Sequence, residues 1–360
     1  MADELTTPEV WLSRKDVIRY ILGVLLGIGV LLLLFGKRGE LVAAGHELGR
    51  VSAGWVAFAV LAEALSLWLF ARLQHRVLRL SGASIPMTGL FLLTLANEAI
   101  ANSVPGEPAV SSAYRYRYYR RHQATGASAG WTIFTILIAQ AIGMSLLLLL
   151  GVVVALAGST SATNTGVTLA GLVIVIASVA ILIRRDLVLR LAGAAVRAVR
   201  RVTGHPRGSI GARVESTLAR MREIPLSGRS TAGIVIMATG VWGTDFLCLV
   251  CSFGAVHAAV PWTGVLLAYG VAQVVGALPI VPGGIGIVEG SLAVILAAYG
   301  AGRVPAISAA LVYRIVSFWL CVAVGWISVA VIAQQARRSR RAAAGGPGPG
   351  SPASDAVPPD

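Results

Sequence analysis

An all-α, polytopic integral membrane protein is the fold class predicted by three features of the 360-residue sequence. These are its apolar composition, a series of nine apolar stretches, and the way basic residues fall between them. Hydrophobic residues make up 56% of the chain and charged residues 13%, against about 25% charged in an average soluble domain. Sixteen acids and thirty bases cannot cover the surface of a soluble core this apolar. Disorder, a secreted disulfide scaffold and most cytosolic enzyme folds are thereby excluded. The net charge of +14 does not point to nucleic acid. Its bases lie between apolar stretches, where anionic lipid is the natural partner.

Crossing a hydrocarbon core of about 30 Å takes about 20 helical residues, and six of the nine stretches qualify. The first, 17–35, runs into Lys37-Arg38 with no small-residue cleavage site. It reads as a signal anchor behind a short cytoplasmic segment, 1–16. The second, 54–73, carries Glu63 in mid-helix. The third, 86–103, is shorter and contains Asn97-Glu98. It leads into Val104-Pro105-Gly106-Glu107-Pro108, where proline removes a backbone donor and glycine admits conformations closed to other residues. A continuous helix is not expected there. The run Tyr114-Arg115-Tyr116-Arg117-Tyr118-Tyr119-Arg120-Arg121 follows. One reading is an interfacial aromatic belt with topology-fixing arginines. The sharper one uses arginine as a forked phosphate donor and tyrosine rings against acyl chains.

The next two stretches, 131–156 and 166–183, are full-length spans. The loop 184–229 carries eleven arginines, and Ile210, Val214, Leu218 and Met221 fall on one helical face. It reads either as an interfacial amphipathic helix or as a plain basic connector. After the span 231–255 come two short stretches, 262–280 and 285–300, around a second break: Pro279-Ile280-Val281-Pro282-Gly283-Gly284-Ile285-Gly286, with Glu289 just beyond. The last stretch is 305–333, and a cytoplasmic Ala/Gly/Pro-rich tail, expected to be disordered, occupies 336–360.

With the N-terminus inside and 86–130 dipping in and returning, the inside segments hold 25 of the 30 Lys and Arg and the outside segments four, with Arg314 left at membrane depth. That asymmetry puts both termini in the cytoplasm. The first broken hairpin then enters from inside, and the second is free to enter from outside. The two would form an inverted repeat, an arrangement in which transporters place sites at broken helix ends near the midplane. The alternative, in which 262–280 and 285–300 each cross fully, leaves the C-terminus on the same side. The expected architecture is about six full spans plus two re-entrant pairs in one membrane domain, 17–335.

Glu63, Glu98, Glu107, Asp245, Glu289 and Arg314 lie within or beside apolar stretches. Inserting such a group costs about 2.5–3.5 kcal/mol, which makes each a functional candidate. Glu63 and Asp245 read as helix-to-helix hydrogen-bonding groups. Glu289 and Arg314 form the opposite-charge combination at depth in the second half, and they are expected to pair. Cys248 and Cys251 form a CxxC without a second pair or a hydrophilic setting; with Cys321 they read as small packing residues. The five histidines lack ligand spacing, and no HExxH, GxSxG or P-loop is present. No catalytic residue, metal or cofactor is expected.

Pro282-Gly283-Gly284-Ile285-Gly286-Ile287-Val288-Glu289, then Tyr313-Arg314 and Gly325, resemble the signature of the lysylphosphatidylglycerol synthase transmembrane-region family. Asn97, Pro105-Gly106 and the Tyr-Arg run resemble its first-half motif, nearer to a Gly/Ala-rich bacterial branch. The resemblance covers roughly 15–335. It implies a flippase-like helical domain with two re-entrant pairs around a cavity for lipid headgroups, in a bacterial plasma membrane. Glu289, Tyr313 and Arg314 match the family's acidic and Tyr-Arg positions, and Pro282, Gly283 and Gly284 match its break. Pro108 and Ser111-Ser112 depart from the commoner pattern, so the substrate need not be lysylated. The aminoacyl-transfer domain is not found in the chain, so lysyl-lipid synthesis is not expected of it.

The leading expectation is a lipid transporter. Arg115 and Arg117 would gather a phosphate-bearing headgroup at the inner face; Glu289 and Arg314, with Tyr313, Glu107, Asn97 and Glu98, would contact it or gate its path. Two other readings compete: a membrane partner for a separate glycosyl- or aminoacyl-transferase docked on 184–229, and a lipid-modifying enzyme using intramembrane carboxylates.

Overall fold

The computed structural model describes residues 51–103, 107–158, 227–277 and 282–344, with isolated helical positions at 166, 169 and 172–173. The anchor stretch 17–35, Pro105 and Gly106, nearly all of 166–183 and of the loop 184–229, and the end of the tail lie outside these residues. Every regular element described is helical. In order they are α1 (Ala53–Leu80), α2 (Met87–Ser103), α3 (Glu107–Arg121), α4 (Gly126–Gly158), α5 (Gly228–Ala255), α6 (Val265–Gly276), a 3₁₀ turn (Pro282–Gly284), α7 (Ile287–Ala298), α8 (Arg303–Arg314), a π-helical turn (Ile315–Leu320) and α9 (Cys321–Ala344).

Four helical runs are long and apolar enough to cross a bilayer: Ala53–Leu80, Gly126–Gly158, Gly228–Ala255 and Arg303–Ala336. At 1.5 Å per residue the shortest of them is about 42 Å long. The chain is therefore a membrane-embedded, multi-pass protein. α6 and α7 have 12 residues each, about 18 Å, well short of the hydrocarbon core. The last run is continuous because α8, the π turn and α9 follow one another without a non-helical residue between them. α9 itself continues to Ala344, beyond residue 336, where the sequence reading begins a disordered tail. The reason is local: 337–344 are arginines, alanines and one serine, mostly strong helix formers, and the Gly/Pro-rich composition starts only at Gly345.

The helix ends sort into two groups. At one end, the Ser52 N–H donates to the Ala255 carbonyl at 2.9 Å, which sets the start of α1 beside the end of α5. Gly158 packs against Thr263, and Gly264 against the ring of Tyr299. The start of α6 and the end of α7 therefore meet, and the two short helices form a hairpin that leaves and returns at this end. At the opposite end Gly233 packs on the Arg76 guanidinium, and the hydroxyls of Ser81 and Ser128 hydrogen-bond. The α2–α3 hairpin opens there. Tyr119 near the end of α3 donates to Gln74 Oε1 at 2.6 Å, Gln74 Nε2 donates to Thr94 at 2.7 Å, and Thr94 donates to the Leu90 carbonyl at 2.9 Å. Burial raises the Tyr119 phenol above its ordinary range, so it stays a neutral donor in this chain.

The tips of the two hairpins meet inside the bundle. Any Cβ at Gly283 would collide with Phe318 and come within 3.2 Å of the Asn102 carbonyl, one residue from the end of α2. Small residues make such approaches elsewhere. At Gly325 a Cβ would overlap the Leu95 carbonyl on α2, and at Gly143 and Gly151 it would come within 2.8 Å of the backbones of α5 and α6. In lipid the tails are as apolar as the side chains, so close backbone packing and internal hydrogen bonds carry the association. The main core joins Leu148, Val152, Leu249, Phe253, Leu267, Leu292 and Leu296. Trp55, Phe58, Leu61 and Leu65 on α1, Leu149, Leu150 and Val153 on α4, and Trp319 and Ile327 on the last run are exposed. Such faces suit acyl chains and not water.

Candidate functional site

The second break is built from glycine conformations that other residues rarely adopt. Gly283, Gly284 and Gly286 have φ of 63°, 62° and 84°, in the left-handed region. This reverses the chain within the 3₁₀ turn and aims the Gly283 carbonyl and the Gly286 N–H inward. Glu289, in the first turn of α7, accepts the Gly286 N–H through Oε2 at 2.7 Å. A carboxylate at a helix N-terminus also meets the positive end of the helix dipole.

Arg314 completes the cluster from α8. Its Nε donates to Glu289 Oε1 at 2.7 Å and its Nη2 to the Gly283 carbonyl at 2.7 Å. Its guanidinium carbon lies 4.2 Å from the centre of the Phe318 ring. The side chains of Arg314 and Glu289 are 9% and 7% exposed, so this is a desolvated ion pair whose hydrogen bonds run to backbone as well as to each other. The pairing of Glu289 with Arg314 expected from sequence is present, and it is fastened to the broken backbone itself. The π turn starts at the next residue. Its extra residue per turn brings Phe318 under the guanidinium, and such turns recur at functional sites.

Tyr313 takes part in a different group. Its hydroxyl donates to Asp245 at 3.0 and 3.1 Å, to the two carboxylate oxygens. Asp245 Oδ2 also accepts from Tyr269 at 2.7 Å and from Gln273 Nε2 at 2.9 Å. The Ser66 hydroxyl on α1 donates to the Val241 carbonyl on α5 at 2.9 Å, one turn from each acid, which sets Glu63 opposite Asp245. Glu63 Oε1 faces the Cys321 thiol at 3.7 Å, and among the described residues its buried Oε2 has no hydrogen-bond partner. Sequence reading placed Glu63 and Asp245 at helix contacts. It did not find that they contact each other, nor that Tyr269, Gln273 and Phe318 belong to the interior. The signal available was two acids at depth in separate spans, and no single sequence says which spans touch.

The remaining predicted residues are spread over the first hairpin. Asn97 is 1% exposed, and among the described residues its Oδ1 has no hydrogen-bond partner. Glu98 is half-buried and near enough to Glu63 for their charges to interact. Glu107 is the first residue of α3. The Arg115 guanidinium lies 5.0 Å from the centre of the Phe70 ring, and its buried Nε has no hydrogen-bond partner among the described residues. Arg117 is exposed. These arginines belong to the α2–α3 hairpin, while the ion pair joins Glu289 of the α6–α7 hairpin to Arg314 of α8, so the predicted residues form two separate groups. All three cysteines are free. Among the described residues no three His, Cys, Asp or Glu side chains gather as a metal-binding group.

Fold and interior together define a helical, multi-pass membrane protein with an ion pair buried at a broken helix. The family model described as lysylphosphatidylglycerol synthase TM region matches residues 20–325. The chain belongs to this family, which links it to membrane-lipid biology. No curated protein matches the chain.

Proposed function

We propose that the protein is a flippase-like lipid transporter that passes a phosphate-bearing headgroup between two re-entrant hairpins. One observation carries the reading: the α6–α7 hairpin tip, with its buried Glu289–Arg314 pair, abuts the tip of the α2–α3 hairpin at Asn102. Two broken helices meeting tip to tip from opposite ends of a bundle are the geometry of transporter sites near a midplane. The family supports a lipid as the cargo.

On this reading the chain sits in a bacterial plasma membrane with both termini in the cytoplasm, following the excess of basic residues on one side. Among the described residues Arg115 Nε has no partner, and Arg117 is exposed. They collect the headgroup phosphate as forked donors. The headgroup then competes for Arg314, which loosens the hold of Arg314 on the Gly283 carbonyl and frees the hairpin tip to move. The lipid leaves chemically unchanged. Docking of a separate transferase on the loop 184–229 remains the second reading from sequence; that loop lies almost wholly outside the described residues.

The test is the lipid that co-purifies with the protein in mild detergent, identified by mass spectrometry beside an Arg314→Ala variant. The expected result is one phosphate-bearing lipid enriched over the bulk membrane and lost in the variant. Bulk-like lipid in both would refute headgroup recognition at this pair.

A further inference from the structure

Two carboxyl groups that the broken-helix site does not use face each other in the same interior. Glu63 on α1 and Asp245 on α5 are each 8% exposed, and the Ser66 hydroxyl donates to the Val241 carbonyl at 2.9 Å, which sets the two acids at the same level of the α1–α5 contact. Their surroundings are unequal. Asp245 accepts from the Tyr269 and Tyr313 hydroxyls and the Gln273 amide. Three neutral donors thus converge on one carboxyl group and satisfy its oxygens. Glu63 has a weak thiol contact, from Cys321, and an oxygen without a hydrogen-bond partner among the described residues.

Among the described residues, the groups facing the pair from the packed elements are acids, thiols and phenols. α2 contributes Glu98, a further acid. α5 and α9 contribute the thiols of Cys248 and Cys321, and α6 and α8 contribute the phenols of Tyr269 and Tyr313. The cation that acts on Asp245 is Arg314, which is already held by Glu289. Two adjacent carboxylates in a dry interior repel each other when both are ionised, and one proton shared between them relieves that repulsion. A single proton on Glu63 removes one charge, lets Glu63 donate to Asp245 and gives the orphaned oxygen a role.

We infer that Glu63 and Asp245 together bind one exchangeable proton, and that this proton couples lipid movement to the proton gradient across the membrane. The linkage runs through two consecutive residues. Tyr313 holds Asp245 and Arg314 holds Glu289. With the proton bound, Asp245 carries the pair's one negative charge and its three donors satisfy it, so Arg314 stays on Glu289 and on the Gly283 carbonyl. When the proton leaves, the pair carries two negative charges and draws Arg314 from Glu289, which unfastens the hairpin tip. In each cycle one proton enters from the side where it is concentrated and leaves on the other, and no bond of the lipid is broken.

The coupling half of this inference rests on the transport reading, so two measurements keep the two apart. The first needs no transport. Infrared difference spectra of the purified protein, recorded across a pH titration, report the C=O stretch of a protonated carboxyl that shifts in D₂O. The expected result is such a band in the wild type and its loss in Glu63→Gln. Should Glu63→Gln not fold, Glu63→Asp keeps a carboxyl withdrawn by one methylene, and the band shifts in frequency and titration. A band unchanged in these variants overturns the proton site.

The second measurement reconstitutes the protein in vesicles with a fluorescent phosphatidylglycerol and imposes a pH gradient. The wild-type rate is expected to change several-fold with the gradient, and that of Glu63→Gln to ignore it. Equal responses in the two proteins overturn the coupling. Vesicles in which no lipid moves under any gradient refute transport and the coupling with it, while the infrared band still decides the proton site.

Discussion

Tyr313 and Arg314 are consecutive on α8, yet they hold carboxylates on two different helices. The Tyr313 hydroxyl donates to Asp245 on α5 at 3.0 Å, and Arg314 Nε donates to Glu289 on α7 at 2.7 Å. Neighbouring side chains on a helix point about 100° apart, so one dipeptide fastens α8 to both partners. A small rotation of α8 must disturb both contacts together. The same dipeptide ends α8, and the π turn begins directly after it. The interior is thus tied at the point where the last membrane run departs from regular helix.

Removing Arg314 leaves the Glu289 carboxylate buried without its counter-charge. Arg314→Ala is expected to destabilise the protein by about 3–5 kcal/mol, measured by unfolding in detergent micelles. The double variant Arg314→Met/Glu289→Leu removes both charges and should recover most of that loss. If the double variant is as unstable as the single one, the buried charge is not the cause.

Gly283 combines a left-handed conformation with contact against Phe318. Gly283→Ala should cost about 1–2 kcal/mol from backbone conformation alone, and more from the collision. Adding Phe318→Ala should return the collision part while leaving the conformational part. Additive effects of the two substitutions on unfolding would contradict the packing described.

Gly325 lets α9 cross α2 at the Leu95 carbonyl, whereas a Cβ at Gly243 on α5 meets nothing within 4 Å. Gly325→Leu should therefore lower stability by about 1–3 kcal/mol. Gly243→Ala should raise it by about 0.5–1 kcal/mol through helix propensity. The two glycines should respond with opposite sign in the same melting assay.

The Tyr119–Gln74–Thr94 chain joins α3, α1 and α2. Tyr119→Phe leaves the buried Gln74 oxygen unsatisfied, at an expected cost of about 1–3 kcal/mol. Gln74→Leu in the same background removes the orphan and should cost less than the sum of the single changes.

Much of this architecture was legible in the residues. Long apolar stretches gave the four spanning runs because a bilayer imposes length and hydropathy directly on the sequence. Pro282-Gly283-Gly284 marked the second break because few residues tolerate that backbone. Glu289 and Arg314 could be paired from sequence because an unpaired arginine at depth is costly. Sequence left open whether 262–280 and 285–300 cross the bilayer or dip into it. Either path brings the start of α6 beside the end of α7, as the contact of Gly264 with Tyr299 does, and what the fold adds is the length of the two helices, 12 residues each. The Glu63–Asp245 contact was hidden for a related reason: it depends on how α1 and α5 rotate against each other. The small residues that set such rotations carry no chemical label.

The central claim is that the buried Glu289–Arg314 pair serves movement of a phosphate-bearing lipid. Its most direct test is transbilayer movement of labelled lipids in vesicles containing purified protein, wild type beside Glu289→Gln. Glutamine keeps the size and the acceptor for the Gly286 N–H but removes the charge that holds Arg314. The account predicts movement of at least one phosphate-bearing lipid by the wild type and its loss in a variant that still folds. Equal rates in the two proteins, or a wild-type rate no faster than protein-free vesicles across a panel of phosphate headgroups, would contradict it.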